Sequence, residues 1–144
     1  ALDAFERALA LRREDSQLFN NIAYLTAKCD GDLDMALEKA EQAVKARPYR
    51  SEFRDTLGAV RLARARAETD PEQRQLEYDR ARQELTLATR FGTTPSPHIQ
   101  LAKLEIELGN YDEAREHVRQ AGDLNPNATI QGEIDAILEE LKGR

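Results

Sequence analysis

The chain has 144 residues, 33% of them charged, and 27 acidic against 21 basic side chains leave a net charge of −6. The length suits one domain, the charge excludes a strongly basic nucleic-acid binder, and no apolar run approaches the roughly 18 residues of a membrane span. One cysteine, Cys29, cannot form an intrachain disulfide, and with two histidines it makes no zinc-binding spacing.

Apolar residues recur three and four apart along the whole chain, and no stretch has period two, so every element reads as a helix. The pattern predicts helices over 1–13, 16–29, 33–46, 51–69, 71–91, 97–108, 111–123 and 128–142. The five prolines, at 48, 71, 95, 97 and 126, fall in first turns or in links. Ser96 before Pro97 and Asp70 before Pro71 read as N-caps. Asn110 with Glu113 resembles a capping box, and Gly31, Gly92 and Gly109 stand at expected helix ends. The short links force consecutive helices to lie antiparallel. Charge is uneven: −2 over 1–49, +1 over 50–90, where all nine basic groups are Arg, and −5 over 91–144.

Alternate helices repeat. Ala1, Phe5, Ala8 and Leu11 align with Ala36, Ala40, Ala43 and Ala46, with Ala81, Leu85, Ala88 and Phe91, and with Ala114, Val118, Ala121 and Leu124. The steps within each set are 4, 3 and 3, one helix face, and the sets lie 35, 45 and 33 residues apart. Small residues there let a neighbouring helix approach closely. The intervening helices carry Ile22-Ala23, Leu57-Gly58 and Leu101-Ala102.

These motifs resemble the tetratricopeptide repeat family. The clearest copy runs from Pro95 to Ala128, with Leu101-Ala102, Gly109-Asn110-Tyr111-Asp112-Glu113-Ala114, Ala121 and Asn125-Pro126-Asn127. Phe19 and Pro48 fit the family pattern in the copy at 16–50. Arg54 and His98 replace the first aromatic, Thr26, Arg61 and Glu105 the second, and Arg13 and Thr93 the closing proline. The resemblance implies an all-α, right-handed α-α superhelical solenoid of antiparallel helix pairs, about eight helices in all. It divides the chain into 1–15, the second helix of a truncated repeat; repeats at 16–50, 51–94 and 95–128; and a capping helix at 129–144, apolar along Ile130, Ile134, Ile137, Leu138 and Leu141. The 45-residue spacing predicts a middle repeat with both helices lengthened by about five residues, a spur over 61–81 reaching roughly 8 Å. Ion pairs among Arg64, Arg66, Glu68, Arg74 and Glu77 would hold it, as a solvated extension or as an arm that contacts a partner.

No nucleophile–base pairing is found, so no enzyme, catalytic residue, metal site or cofactor is expected. Cys29, beside Asp30, lacks the positive surroundings of a reactive thiol. His117, among Arg115, Glu116 and Arg119, reads as a solvated helix face, and neither it nor His98 is expected to be a ligand or catalytic group. The resemblance implies a concave groove that binds a protein or peptide. Its lining would include Gln17, Asn20, Tyr24 and Lys28, then Glu52, Asp55 and Leu62, then Ile99, Lys103 and Ile106, each set on one helix face. The apolar members could instead only pack between helices. Chaperone-binding members of the family clamp a carboxylate with Lys, Asn and Arg. Here those positions hold Asn20, Tyr24, Thr56, Ser96 and Gln100, or Glu52 and Thr56 in the other register, so an acidic-tail ligand is not expected.

The alternative function is self-assembly through the first helix or the spur. Leu2, Phe5 and Leu9 would lack a covering helix, and the chain, which has no initiating Met or signal segment, reads as a fragment of a larger protein able to form a weak homodimer. A third reading is an accessory domain of an enzyme whose catalytic part lies upstream. The expectations are no nucleic acid, no membrane insertion and a cytoplasmic location, the last from the one unpaired cysteine.

Overall fold

The computed structural model describes residues 2–144, with side chains from Asp3 onward. Ala1 and the side chain of Leu2, both used in the repeat and first-helix readings, lie outside the described residues. Seven helices are present among those described: α1 Leu2–Lys28, α2 Leu33–Ala46, α3 Ser51–Ala67, α4 Pro71–Phe91, α5 Ser96–Glu107, α6 Tyr111–Gly122 and α7 Ala128–Leu141.

The expected break near residue 15 does not occur: the predicted helices 1–13 and 16–29 are one continuous helix, α1. Arg12-Arg13-Glu14-Asp15 contains neither Gly nor Pro, and Arg and Glu favour helix. Ser16 does not cap a new helix. Its hydroxyl donates back to the carbonyl of Arg13 at 2.8 Å, within the same helix. Phe5, Ala8 and Leu11 of the first repeat set therefore stand in the open. Residues 3–15 are all exposed, Phe5 by 67% and Leu11 by 60%.

Other helix ends follow local chemistry. Asp32 caps α2 by accepting from the amides of Asp34 and Met35. Asp70 caps α4 ahead of Pro71, and Asn127 caps α7. One predicted cap is overturned and one is met in position only. Ser96 is the first residue of α5, whereas Asn110 stands at the N-cap of α6 without a side-chain bond to the helix amides. Both side chains bond to neighbouring groups instead, as described below.

Each helix packs against the next, and α1, α3, α5 and α7 also pack in succession. No such contact joins α2 to α4 or α4 to α6. The odd helices thus form a close inner row and the even helices a splayed outer one, which curves the stack. The alanine face lies between the rows: Ala36, Ala40, Ala43, Ala81, Leu85, Ala88, Ala114 and Ala121 are all fully buried. Three apolar clusters run along the stack, centred on Phe53, on Leu85 and on Val118.

The middle helices are long, 17 residues for α3 and 21 for α4, against 12 each for α5 and α6. The tip of the extension, residues 69–76, is solvent-exposed as expected, while its base is tied down by ion pairs. Arg61 and Arg64 of α3 both hold Glu77 of α4, which is 7% exposed. Arg61 also pairs with Glu41, and Arg64 with Asp34, both on α2. Arg66 reaches Glu107 of α5 at 2.5 Å. Ion pairs reach back from the extension to the helices before and after it.

Candidate functional site

The inner row presents residues spaced by three and four on α1, α3 and α5, and these converge on one groove of about 630 Å³. Asn20, Tyr24 and Lys28 from α1, Glu52 and Asp55 from α3, and Ile99 and Lys103 from α5 all line it. Ile99, 1% exposed, forms floor rather than wall. Ile106 lies in an adjoining, shallower groove of about 310 Å³ with Arg66, Glu107 and Glu140. Gln17 sits at the edge, where its amide donates to Glu52 Oε1 at 3.2 Å and accepts from Arg50.

Leu62 is not in the groove. It is 1% exposed and packs with Tyr78, Leu85, Leu101 and Leu104. Its position on α3 faces the outer helix and the next repeat rather than the concave side.

The groove's polar side chains are partly matched. Ser96, the expected cap, donates to Asp55 Oδ2 at 2.6 Å and ties α5 to α3. Asn20, 2% exposed, donates its amide to Glu52 Oε1 at 3.2 Å. The Lys28 ammonium donates to the Tyr24 hydroxyl at 3.3 Å, and Lys103 lies 3.9 Å from Glu133 of α7. Burial, opposed by the Ser96 hydrogen bond and aided by the Glu52 charge, pushes the Asp55 carboxyl up from 3.8 to about 6.

Sequence reasoning missed Arg66, Ile130 and Glu133 as groove residues. α7 reads as a polar-backed cap, but it packs on α5 in the place a further inner helix would take. The alternation of inner and outer helices was the signal that pointed there.

A second polar cluster lies between α4, α5 and α6. Glu105 is buried and accepts from Arg82 at 2.7 and 3.1 Å and from Asn110 at 2.7 Å. Burial pushes its carboxyl up, but these bonds outweigh that and hold it below the ordinary range. His98 and His117, 19 residues apart in sequence, come together here with ring centroids 6.0 Å apart. Burial draws both imidazoles below their usual range. Cys29 is exposed, and among the described residues no group of three metal-binding side chains occurs.

Residues 95–128 match the tetratricopeptide repeat family model. The fold is a tetratricopeptide-like helical solenoid. A thermophilic tetratricopeptide protein from Thermus thermophilus superposes with a TM-score of 0.80 at 23% identity, over 98% of this chain and 73% of that one. The Yersinia enterocolitica type III secretion chaperone SycD, solved with a peptide of the translocator YopD, gives 0.67 at 18% identity, over 88% and 91% of the two chains. The first repeat domain of Spaghetti, bound to an HSP90 peptide, gives 0.65 at 15%, over 89% and 96%. No curated protein sequence matches the chain. Among the described residues no helix is long and apolar enough to cross a membrane.

Proposed function

We propose that this solenoid is a non-catalytic scaffold whose concave groove binds an extended segment of a partner protein. The observation that carries this reading is the single groove shared by α1, α3, α5 and α7, with an apolar floor at Ile99 and an accessible aromatic at Tyr24, 44% exposed. Such a surface offers both apolar anchoring and hydrogen bonding along its length. Two similar folds hold peptides, those of SycD and Spaghetti. The helix pairs are read as repeat units at 16–50, 51–94 and 95–128.

The test is a titration with peptides selected on the native chain from a random library. Replacing Tyr24 and Lys103 by Ala is expected to weaken binding by more than about 1 kcal/mol at unchanged helicity. Unchanged affinity in that double variant would move the contact surface to the convex face or to the extension of α3 and α4.

A second reading is self-association through the first half of α1, favoured by the exposure of Phe5 and Leu11. Sedimentation at about 100 µM detects it, a concentration at which weak two-fold contacts populate dimers. A dimer lost on Phe5→Ser and Leu11→Ser substitution would support it.

A further inference from the structure

This inference rests on the groove reading above and concerns the chemistry of what the groove takes. Asn20 and Asp55 both line the groove, and each has an oxygen, Oδ1, without a hydrogen-bond partner. Both atoms are acceptors. The orientation of the Asn20 amide is dictated by Glu52: its nitrogen donates to Oε1, and turning it over would set two oxygens against each other. The one hydrogen bond to the Asp55 side chain, from Ser96, falls on Oδ2. None of the groove's own cations bonds either oxygen. Lys28 bonds the Tyr24 hydroxyl, Arg66 holds Glu107, and Lys103 lies beside Glu133. A buried acceptor without a donor costs free energy, and more so when it is ionised.

We propose that the groove takes a basic side chain, a lysine or arginine from an extended partner segment, seated between Asn20 of α1 and Asp55 of α3. The ligand brings the N–H donors that neither oxygen finds within the protein. The final torsion of an Asp side chain is soft, so Oδ1 can turn to meet the incoming donor. Asp55 is held half-matched and destabilised in the free protein, a condition common where binding chemistry is stored. Its carboxyl titrates at about 6, so the cation binds better above that pH than below it. The charged groups facing this position are Glu52 on its own helix, Lys28 of α1, Arg66 further along α3, Lys103 of α5 and Glu133 of α7.

The experiment uses the 144-residue chain, immobilised, to select from a displayed library of random short peptides. Enrichment of Lys or Arg at one fixed position is expected. Synthetic peptides with that Lys changed to norleucine, or that Arg to citrulline, should bind about tenfold or more weakly, the scale of a charge-assisted hydrogen bond. Asp55→Asn keeps an acceptor for Ser96 and should bring basic and neutral peptides to within about threefold of each other at unchanged helicity. Affinity for the basic peptide should fall between about pH 7.5 and about pH 5 in the native chain and stay level in Asp55→Asn. Selection of neutral or acidic peptides alone overturns the proposal and leaves the peptide groove standing. No selection at all overturns the groove reading and the proposal with it. A change in the Asp55 titration with protein concentration, seen by NMR without peptide, would make a second copy the occupant and likewise overturn it.

Discussion

Leu85 of α4 fills the space that a side chain at Gly58 of α3 would need. A Cβ built on Gly58 would lie 2.5 Å from Leu85 Cγ and 2.7 Å from its Cδ2. Leu85 is fully buried, so it has nowhere to retreat. The α3–α4 pair therefore closes on a position where only hydrogen fits.

Gly58→Ala sets two effects in opposition. Alanine improves helix propensity by about 1 kcal/mol. Overpacking against a buried leucine costs about 1–3 kcal/mol, and the clash distances put this site at the upper end. Net destabilisation is expected, read as a lowered urea midpoint. Leu85→Ala alone should cost about 2–5 kcal/mol. The double variant should lose less than the sum of the singles, because the methyl group introduced on α3 then occupies part of the cavity left on α4. Additive losses would mean that the two residues do not compete for space.

Arg82 and Glu105 form a pair whose members are unequally covered, 36% and 5% exposed at their side chains. Arg82→Met leaves the carboxylate with Asn110 alone. A loss of about 2–4 kcal/mol is expected, set by the stranded charge. Glu105→Leu in that background should recover most of it, since an apolar pair of similar volume has no charge to solvate. A thermodynamic cycle of the four proteins by urea denaturation measures the coupling. Equal stability of Arg82→Met and the native chain would show that Asn110 suffices.

Asp55 carries a pH dependence of definite sign. Its folded pKa, about 6, lies above the ordinary 3.8, so the folded state holds the proton more tightly. That contribution is fully present below about pH 4 and is lost as pH rises through about 6. The difference is worth roughly 3 kcal/mol at neutral pH. Asp55→Asn should therefore gain about 1–3 kcal/mol near pH 7.5 and little near pH 4. Chemical denaturation at the two values checks it, and an equal effect at both would refute the assignment.

The histidine pair has the opposite slope. Burial lowers the pKa of His98 and of His117, and repulsion from His117 lowers that of His98 further. The nearby charges are Glu105, Glu116 and Arg82. With folded pKa values below the unfolded one of about 6.5, the unfolded chain binds more protons as pH falls. Stability from this pair is present above about pH 7 and declines as pH drops through 6.5 towards the lowered values. His98→Gln with His117→Gln should flatten that decline between about pH 7.5 and pH 5.5, measured by urea midpoints. A decline as steep as in the native chain would locate it elsewhere.

The helical class and the buried faces of the outer helices were legible in the sequence, because both are local and repeat. Ala36, Ala40 and Ala43 mark where helices close to contact distance, and a period of 3.6 states which face does so. Seven of the ten residues read as groove lining share one groove because the inner helices repeat the same rotation. Tertiary structure decided what local signals leave open. Arg12 to Asp15 contains no helix breaker, so whether α1 turns back or continues depends on packing further along. Ser96 and Asn110 could cap their own helices or bond to other side chains, and Asp55 and Glu105 offered charged acceptors. Leu62 stands on a face wide enough to meet either the groove or the next helix, and Leu101 and Leu104 drew it inward. Glu77 reads as part of a solvated extension and His117 as a solvated helix face because charge patterning does not reveal which distant side chain arrives. Arg61 and Arg64 cover Glu77 across the turn between α3 and α4, and the two imidazoles meet only because α5 and α6 fold back on each other.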